Sequence, residues 1–459
     1  MRSQGIDWSD ALELVDSAVE GVSVRAICDL REGDLVATIP KLACLTIRTS
    51  RARDMIEGVG LVGCLGLAVA LMYERSLGPE SPWHGYLQLL PERECVPLVW
   101  SLEEVDSLLA GTELHKIVKQ DKCFLYEDWK ESIEPLILSR PLKLDPDSFG
   151  VEQYFSAKSL VSSRSFEIDG YHGFGMVPLA DLFNHKTEAE NVHFTSILSP
   201  SSSDDEGDGG ICDESADDKL SDVDLSTSSG EDPTVLEMIV VRHVEAGYGF
   251  TEPDNPYDIV NIDLDLVIKW CSSLFSNRYA RSRLSSWRRL KYSGCTSQNS
   301  EYFEISFNGE PQIELLVLLY IIFLAEDAYE KLRYLIDSFE GVDESSNIIS
   351  LIKITKSKCS KTPGNISCHE APEDVKELML TENVCSALIS LADIRESLYG
   401  SDSLEDDKNR LRSCCHVKER KLYHSLVLRL SERTILGRLR AYASSYSKRK
   451  KRKLKEPKS

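Results

Sequence analysis

The sequence predicts an α+β fold in which small β-sheets and a helical insertion are followed by an all-helical C-terminal lobe. Short runs with β-strand character occur over residues 22–39, 193–198 and 235–241. Residues 80–160 read as several helices joined by proline-marked turns. Residues 258–445 carry helical periodicity almost throughout, as expected of amphipathic helices in a bundle.

The composition is that of a globular protein of two or three domains, with 459 residues of which 42% are hydrophobic and 28% charged. A net charge of −22 argues against non-specific nucleic-acid binding by the bulk surface. The most apolar run, Leu315–Ala325, is too short to cross a bilayer and is predicted to be a buried helix. No secretory signal is expected. Thirteen cysteines without a repeated spacing indicate reduced thiols in a cytosolic or nuclear protein, and no metal site is expected.

Charge is distributed unevenly along the chain. Asp204–Asp232 contains twelve acidic residues and one lysine, a balance of −11 that is half of the net charge. The segment 199–233 is poor in aromatic residues, so we predict a disordered acidic loop between two strands, with docking of basic partners as an alternative. Lys448–Lys453 is a basic cluster typical of a nuclear localisation signal, with nucleic-acid contact and a plain tail as alternatives.

The N-terminal elements are predicted as follows. Residues 7–20 have apolar side chains at helical spacing and are predicted to form an amphipathic helix. Val22–Ile39 is predicted to form a β-hairpin around the turn Arg31–Asp34. Leu61–Glu74 is rich in small residues and is predicted to be a helix packed against a sheet, not a phosphate-binding loop, because no Lys-Ser pair follows its glycines.

An apolar run from Met176 to Phe183 ends abruptly in Asn184-His185. Buried amides and imidazoles cost free energy unless they are paired, so a ligand or the neighbouring backbone must meet them. A satisfied core pair and a ligand-binding pair both fit this pattern.

Four segments of the chain belong together as a pattern: Gly21–Ala26 with Asp29–Pro40, Ser81–Pro91 with Pro97–Trp100, Ser163–Phe166 with Pro178–His185, and Tyr248–Pro256. In this order they resemble the SET-domain protein-lysine N-methyltransferases of the Rubisco large-subunit and ribosomal-protein type. Together they span roughly residues 15–260. The resemblance implies a SET-type sheet region in two parts, 21–75 and 161–256. It also implies an N-terminal helix at 1–20 and a helical insertion at 76–160. A substrate-binding lobe is expected at 257–446, followed by a basic tail at 447–459.

The resemblance also implies the cofactor, the partner and the site. The cofactor is S-adenosyl-L-methionine, and the partner is a protein substrate with a target lysine, without membrane binding or strong nucleic-acid binding. Tyr248 is the expected catalytic residue. The expected cofactor contacts are Gly21, Val22, Ser23, Arg164, Asn184, His185 and Tyr248. The expected substrate contacts are Trp83, Arg164 and Asp181, although Trp83 and its neighbour Tyr86 also fit the pattern of ordinary core aromatics.

One departure from the family pattern affects the expected activity. Glu245–Gly247 runs directly into Tyr248, where relatives have about twenty further residues that include a second active-site tyrosine. Two hypotheses follow: an active lysine methyltransferase, or a catalytically impaired SET scaffold that binds partners. A helical scaffold unrelated to methylation is a third, but it leaves the Ser162–His185 stretch unexplained. Histone, ribosomal and other protein substrates are all compatible with the sequence, which sets no oligomeric state.

Overall fold

The computed structural model of the chain describes residues 1–17, 21–138, 144–183, 192–196, 235–240, 255–289, 302–338, 376, 379–415 and 418–453. The chain forms two compact units. The first combines residues 1–99 with 123–250, and the second combines 100–122 with 251–459. The predicted acidic loop at 199–233 and the Gly247–Tyr248 junction lie outside the described residues.

Short strands supply the sheets of both units. They are β1 (Asp7–Trp8), β2 (Leu12–Ser17), β3 (Gly21–Ala26), β4 (Leu35–Pro40), β5 (Leu45–Thr46), β6 (Ser165–Asp169), β7 (Gly173–Met176), β8 (Val192–Ser196), β9 (Val235–Val240), β10 (Val260–Asp263) and β11 (Tyr302–Ile305).

Helices make up most of the remaining described chain. They are α1 (Arg53–Gly58), α2 (Gly63–Ser76), α3 (His84–Leu87), α4 (Leu102–Leu108), α5 (Glu113–Asp128), α6 (Glu134–Leu138), α7 (Val151–Arg164), α8 (Leu264–Leu274), α9 (Asn277–Arg289), α10 (Ile313–Ile322), α11 (Glu326–Ser338), α12 (Glu382–Ser397), α13 (Leu404–Ser413) and α14 (Arg420–Lys453). The mixture of small sheets and a helical C-terminal region confirms the predicted α+β fold class.

The first unit contains a four-stranded sheet of order β1-β4-β9-β8, a three-stranded sheet of order β5-β7-β6, and the ribbon β2-β3. Neighbouring strands run antiparallel throughout. The strands predicted on either side of the acidic segment are confirmed as β8 and β9, which pair with His193 opposite Ile239. Their inward side chains join β4 in a core that includes Ile39, Leu236 and Met238.

The predicted helix over residues 7–20 is wrong, because this part of the chain forms β1 and β2. β2 pairs with β3 along its whole length, from Leu12 opposite Ala26 to Ser17 opposite Gly21. This ladder satisfies backbone N–H and C=O groups, whereas an isolated helix of this length would be marginal in water. Gly21 opens β3 with a φ of +73°, a conformation that a residue with a side chain rarely adopts.

The predicted hairpin over Val22–Ile39 is also wrong, although its turn is present. The Asp34 amide donates to the Arg31 carbonyl at 3.0 Å, and Gly33 has a φ of +88°. The flanking strands do not pair with each other. β4 has β1 on one edge and β9 on the other, so no edge is left for β3.

Helix α2 crosses the three-stranded sheet and packs on α7, which confirms the helix predicted over Leu61–Glu74. Its residues from Gly66 to Met72 are buried. A Cβ at Gly66 would lie 2.6 Å from Ile47 Cδ1 and 3.0 Å from the Leu61 carbonyl oxygen, so glycine suits this close approach to the preceding loop. In the last turn the buried Glu74 carboxylate accepts hydrogen bonds from Ser50 Oγ at 2.9 Å and Ser81 Oγ at 2.7 Å, which fixes the loops on both sides.

The second unit is a helical bundle with the ribbon β10-β11. Helix α10 is buried from Leu315 to Ile322, which confirms the buried helix predicted there. Within the described ranges, no helix has both the length and the hydropathy required to span a membrane. The buried Arg395 guanidinium of α12 donates to the Gly111 carbonyl at 2.6 Å and to Glu113 at 2.8 Å, so it fastens the 100–122 segment to the bundle.

Candidate functional site

The polypeptide leading to Asn184-His185 makes a strained turn that the core holds in place. After β7, residues Ala180–Leu182 form a short 3-10 helix, preceded by Leu179 with φ 79° and ψ −46°. A non-glycine residue in this region costs about 1–3 kcal/mol. The Leu179 side chain is fully buried with Val177 and Ile39, and this packing offsets the strain. Strained residues of this kind cluster at functional sites.

Asp181 lies in the middle of this turn, and its carboxylate is completely buried. One oxygen, Oδ2, accepts a hydrogen bond from the Tyr86 hydroxyl at 2.7 Å. The other oxygen, Oδ1, has no hydrogen-bond partner among the described residues. Burial raises the pKa of Asp181 to about 7, and the Tyr86 hydrogen bond and the Arg164 charge oppose this rise.

Arg164, the last residue of α7, connects the turn to the helical insertion. Its Nη1 donates to the Asp181 carbonyl oxygen at 2.9 Å and lies 3.7 Å from Oδ2 of the same residue. Its Nε donates to Glu94 Oε1 at 2.6 Å. The guanidinium thus holds the backbone of the turn while Glu94 balances its charge, a geometry that suits the planar donor array of arginine.

Strand β3 approaches the same turn. Cα atoms of β3 come within 8 Å of those of Ala180–Leu182. Ser23 in this strand is 2% exposed, and its hydroxyl has no hydrogen-bond partner in the described part of the chain. A side chain at Gly21 would meet no heavy atom within 4 Å, so open space adjoins the start of the strand. The structure therefore brings strand β3, which contains Gly21–Ser23, next to the residues that lead directly to Asn184.

Comparison with known proteins supports the resemblance seen in the sequence. No protein-family model matches the chain. An N-lysine methyltransferase setd6 of Salmo salar is 32% identical over 185 residues, which are 36% of this chain and 41% of that protein. Ribosomal lysine N-methyltransferase 3 of Saccharomyces cerevisiae is 24% identical over 212 residues, 40% of this chain and 38% of that protein. The matches therefore span about two fifths of the length of these relatives.

Solved structures match nearly the whole chain. The SET domain of LSMT bound to lysine and S-adenosylhomocysteine superposes with a TM-score of 0.61 at 16% identity, covering 99% of this chain and 93% of that one. Rubisco LSMT bound to S-adenosylmethionine gives a TM-score of 0.59 at 16% identity, covering 97% and 89%. The chain has the SET-domain fold. The predicted resemblance to SET-domain lysine methyltransferases is thereby confirmed.

Within this SET-domain chain, the expected site residues fall into three groups. Arg164 and Asp181 are in contact at the strained turn, and the strand that contains Gly21–Ser23 approaches this turn; the expected binding roles of these residues stay predictions. Asn184, His185 and Tyr248 lie outside the described residues, so their roles stay predictions. Trp83 is a core residue, 4% exposed, and its indole N–H donates to the Ala43 carbonyl at 3.0 Å. Its expected contact with substrate also stays a prediction.

Two residues that bond to Arg164 and Asp181 are not among the expected site residues. Glu94 neutralises Arg164 from 70 residues away, and no local pattern marks it. Tyr86 fits the sequence pattern of a core aromatic, whereas its hydroxyl is bonded to Asp181 from 95 residues away. The sequence signal for this contact is the phenol of Tyr86 itself, since a buried tyrosine hydroxyl usually has a hydrogen-bond partner.

Proposed function

We propose that the chain is an S-adenosyl-L-methionine-dependent protein-lysine N-methyltransferase. The observation that carries the proposal is a pair of buried polar atoms, Ser23 Oγ and Asp181 Oδ1, that lack partners on two neighbouring segments. Buried polar atoms in folded proteins are nearly always hydrogen-bonded, so a bound ligand is the natural partner. The SET-domain fold, and the methyltransferase names of the proteins similar to this chain, support a methyl donor and a protein lysine as those ligands.

The residues present fit the cofactor. The start of β3, with Gly21, Val22 and Ser23, offers backbone groups, open space beside the glycine and one buried hydroxyl. In our proposal Arg164, Asn184, His185 and Tyr248 complete the binding set, and bound S-adenosylmethionine supplies the methyl group.

The chain's own residues then supply alignment. Lysine titrates near pH ~10.4, and an apolar surrounding lowers this pKa, which makes the neutral amine accessible. Asp181 Oδ1 accepts a hydrogen bond from the amine, and Arg164 keeps the backbone of Asp181 in place. The hydroxyl of Tyr248 orients the amine without adding a charge. Direct displacement requires such orientation and no covalent intermediate, and proximity alone lowers the barrier by several kcal/mol.

Calorimetric titration of S-adenosylmethionine into the purified full-length chain tests the cofactor assignment. We expect micromolar binding that weakens in Asn184→Ala and in Ser23→Ala. Ser286→Ala is a matched control, because Ser286 is also buried but its hydroxyl bonds to Tyr329 at 2.9 Å in the second unit. A folded protein that binds no S-adenosylmethionine would exclude the enzyme and favour the scaffold hypothesis.

The acceptor residue requires a separate measurement, because one similar protein, 29% identical over 192 residues, is an actin-histidine N-methyltransferase of Rattus norvegicus. The chain should be incubated with methyl-labelled S-adenosylmethionine and a cell extract, and the labelled protein hydrolysed. We expect the label in Nε-methyllysine. Label confined to methylhistidine would contradict the lysine assignment.

We further propose that the protein acts in the nucleus, with a cytoplasmic fraction. The support is the basic cluster Lys448–Lys453, which is typical of a nuclear localisation signal. A fluorescent fusion should concentrate in nuclei, and replacing the six basic residues by alanine should redistribute it. An unchanged distribution would contradict this assignment.

A further inference from the structure

The hydroxyl of Tyr86 is bonded to one oxygen of a carboxylate whose other oxygen lacks a partner. Tyr86 lies in the short helix α3 of the helical insertion and is 1% exposed. Its hydroxyl donates to Asp181 Oδ2 at 2.7 Å, and Oδ1 has no partner in the described chain. A carboxylate turns easily about its terminal torsion, which is broad. A single strong donor on one oxygen therefore decides where the other oxygen points.

We propose that Tyr86 is a positioning residue for methyl transfer, and that it holds Asp181 so that Oδ1 is presented to the substrate amine. This inference rests on the proposed function. The division of work is visible in the contacts: Arg164 donates to the backbone carbonyl of Asp181 at 2.9 Å, whereas Tyr86 binds the side chain at 2.7 Å. Main chain and carboxylate are thus fixed by separate groups, both anchored in the core.

Tyr86 also affects the charge of Asp181. Besides Tyr86, the groups that act on this carboxyl are Arg164, which favours the charged form, and Glu94, which disfavours it. Buried Cys44 acts on the Tyr86 hydroxyl. Burial raises the pKa of Asp181 to about 7, and the Tyr86 hydrogen bond opposes that rise. Removing the hydroxyl therefore raises the pKa further, which leaves less carboxylate at neutral pH to accept the hydrogen bond of the substrate amine.

Tyr86→Phe removes only this hydroxyl, and Tyr154→Phe is the matched control. Tyr154 is fully buried in the same core, but its hydroxyl has no hydrogen-bond partner among the described residues. The probe is L-lysine, titrated between pH 6 and about 9 into full-length protein saturated with S-adenosylhomocysteine, the pair of ligands bound in a structure of this fold.

For the wild type we expect lysine affinity to rise with pH through about 7 as Asp181 loses its proton. Tyr86→Phe should weaken lysine binding roughly tenfold at neutral pH, as for a hydrogen bond to a charged group, and move the rise to higher pH. Tyr154→Phe should behave as wild type. A purely structural role of Tyr86 would lower the melting temperature without moving the pH profile.

The outcomes separate the two proposals. If wild type binds neither S-adenosylhomocysteine nor lysine, the proposed function fails and the inference with it. If wild type binds both and Tyr86→Phe matches it in affinity and pH profile, the inference alone is overturned. A carboxyl-carbon NMR titration of Asp181 gives an independent check, because an unchanged Asp181 pKa in Tyr86→Phe would also overturn the inference.

Discussion

Ser23→Ala is expected to change stability and cofactor affinity in opposite directions. The Ser23 hydroxyl is buried and has no partner among the described residues. Leaving such a group unpaired costs about 1–3 kcal/mol, so removing it should leave the free energy of unfolding unchanged or raise it by up to about 1 kcal/mol. If the hydroxyl binds the cofactor, the same change removes one hydrogen bond of about 0.5–1.5 kcal/mol, which is an affinity loss of about 2- to 12-fold.

Scanning calorimetry with and without S-adenosylmethionine measures both effects in one experiment. Without cofactor, Ser23→Ala should melt at or slightly above the wild-type temperature. Addition of cofactor should raise the melting temperature of the wild type more than that of Ser23→Ala. A ligand that binds only the folded state stabilises it by RT ln(1 + [L]/Kd), so the tighter binder is stabilised more. The control Ser286→Ala should melt below the wild-type temperature, because it loses the hydrogen bond to Tyr329 and with it about 1 kcal/mol of stability. Its melting temperature should still rise with cofactor as much as that of the wild type.

The reasoning would be refuted by a Ser23→Ala variant that melts below wild type by as much as Ser286→Ala does. That result would mean that the Ser23 hydroxyl is bonded within the protein and is not reserved for a ligand. An unchanged cofactor response in a stable Ser23→Ala variant would remove the hydroxyl from the binding set and leave the backbone of β3 as the contact.

Two further predictions concern buried charges. Arg395→Met leaves the buried Glu432 without its cation at 3.4 Å and removes the 2.8 Å ion pair with the partly exposed Glu113. It should destabilise the second unit by about 3–5 kcal/mol, measured by urea unfolding, and Arg395→Lys should recover part of this lost stability. Asp169→Asn replaces the carboxylate whose Oδ2 lies 2.6 Å from the buried Lys41 ammonium with a neutral amide. The ammonium then lacks a counter-ion, and the first unit should lose a similar amount of stability. Burial alone would raise the pKa of Asp169, but hydrogen bonds from Lys41 and His172 hold it well below its usual value. Its stabilisation is therefore complete above about pH 4 and is lost as pH falls further, and the variant should lack this acid-dependent loss.

Elements with a strong local signal could be predicted from the sequence. Helices α2 and α10 were found because small or apolar side chains run without interruption through their buried lengths. β8 and β9 could be predicted because apolar residues alternate with others in two short runs on either side of a segment rich in acidic residues. In each case the residues that decide the structure lie within the element itself.

Elements decided by distant partners could not be predicted. Residues 12–17 satisfy helical spacing as well as strand alternation, and only the ladder to Gly21–Ala26 decides between them. The hairpin prediction is wrong because β4 pairs with β9, about two hundred residues further along the chain, and not with β3. Local periodicity carries no information about such pairing, so tertiary contacts override it.

The candidate site shows the same division. Arg164 and Asp181 could be named because they belong to a motif, but their partners Glu94 and Tyr86 are supplied by an insertion 70 and 95 residues away. A motif identifies the residues proposed to meet the ligand. The groups that hold them in position can come from any part of the fold and have no fixed spacing.

The arrangement of buried polar groups in the first unit suits a reaction that depends on alignment. Displacement at a methyl group needs the two reacting atoms in line within a few tenths of an ångström, and a misplacement of about 1 Å can cost a hundredfold in rate. The turn around Asp181 is fixed at three points: Leu179 by apolar packing despite its positive φ, the backbone by Arg164, and the carboxylate by Tyr86. The three contacts come from different parts of the first unit, so movement of one of them leaves the other two to hold the turn in place. A site held in this way retains its geometry before any ligand arrives, and binding energy then need not be used to order it.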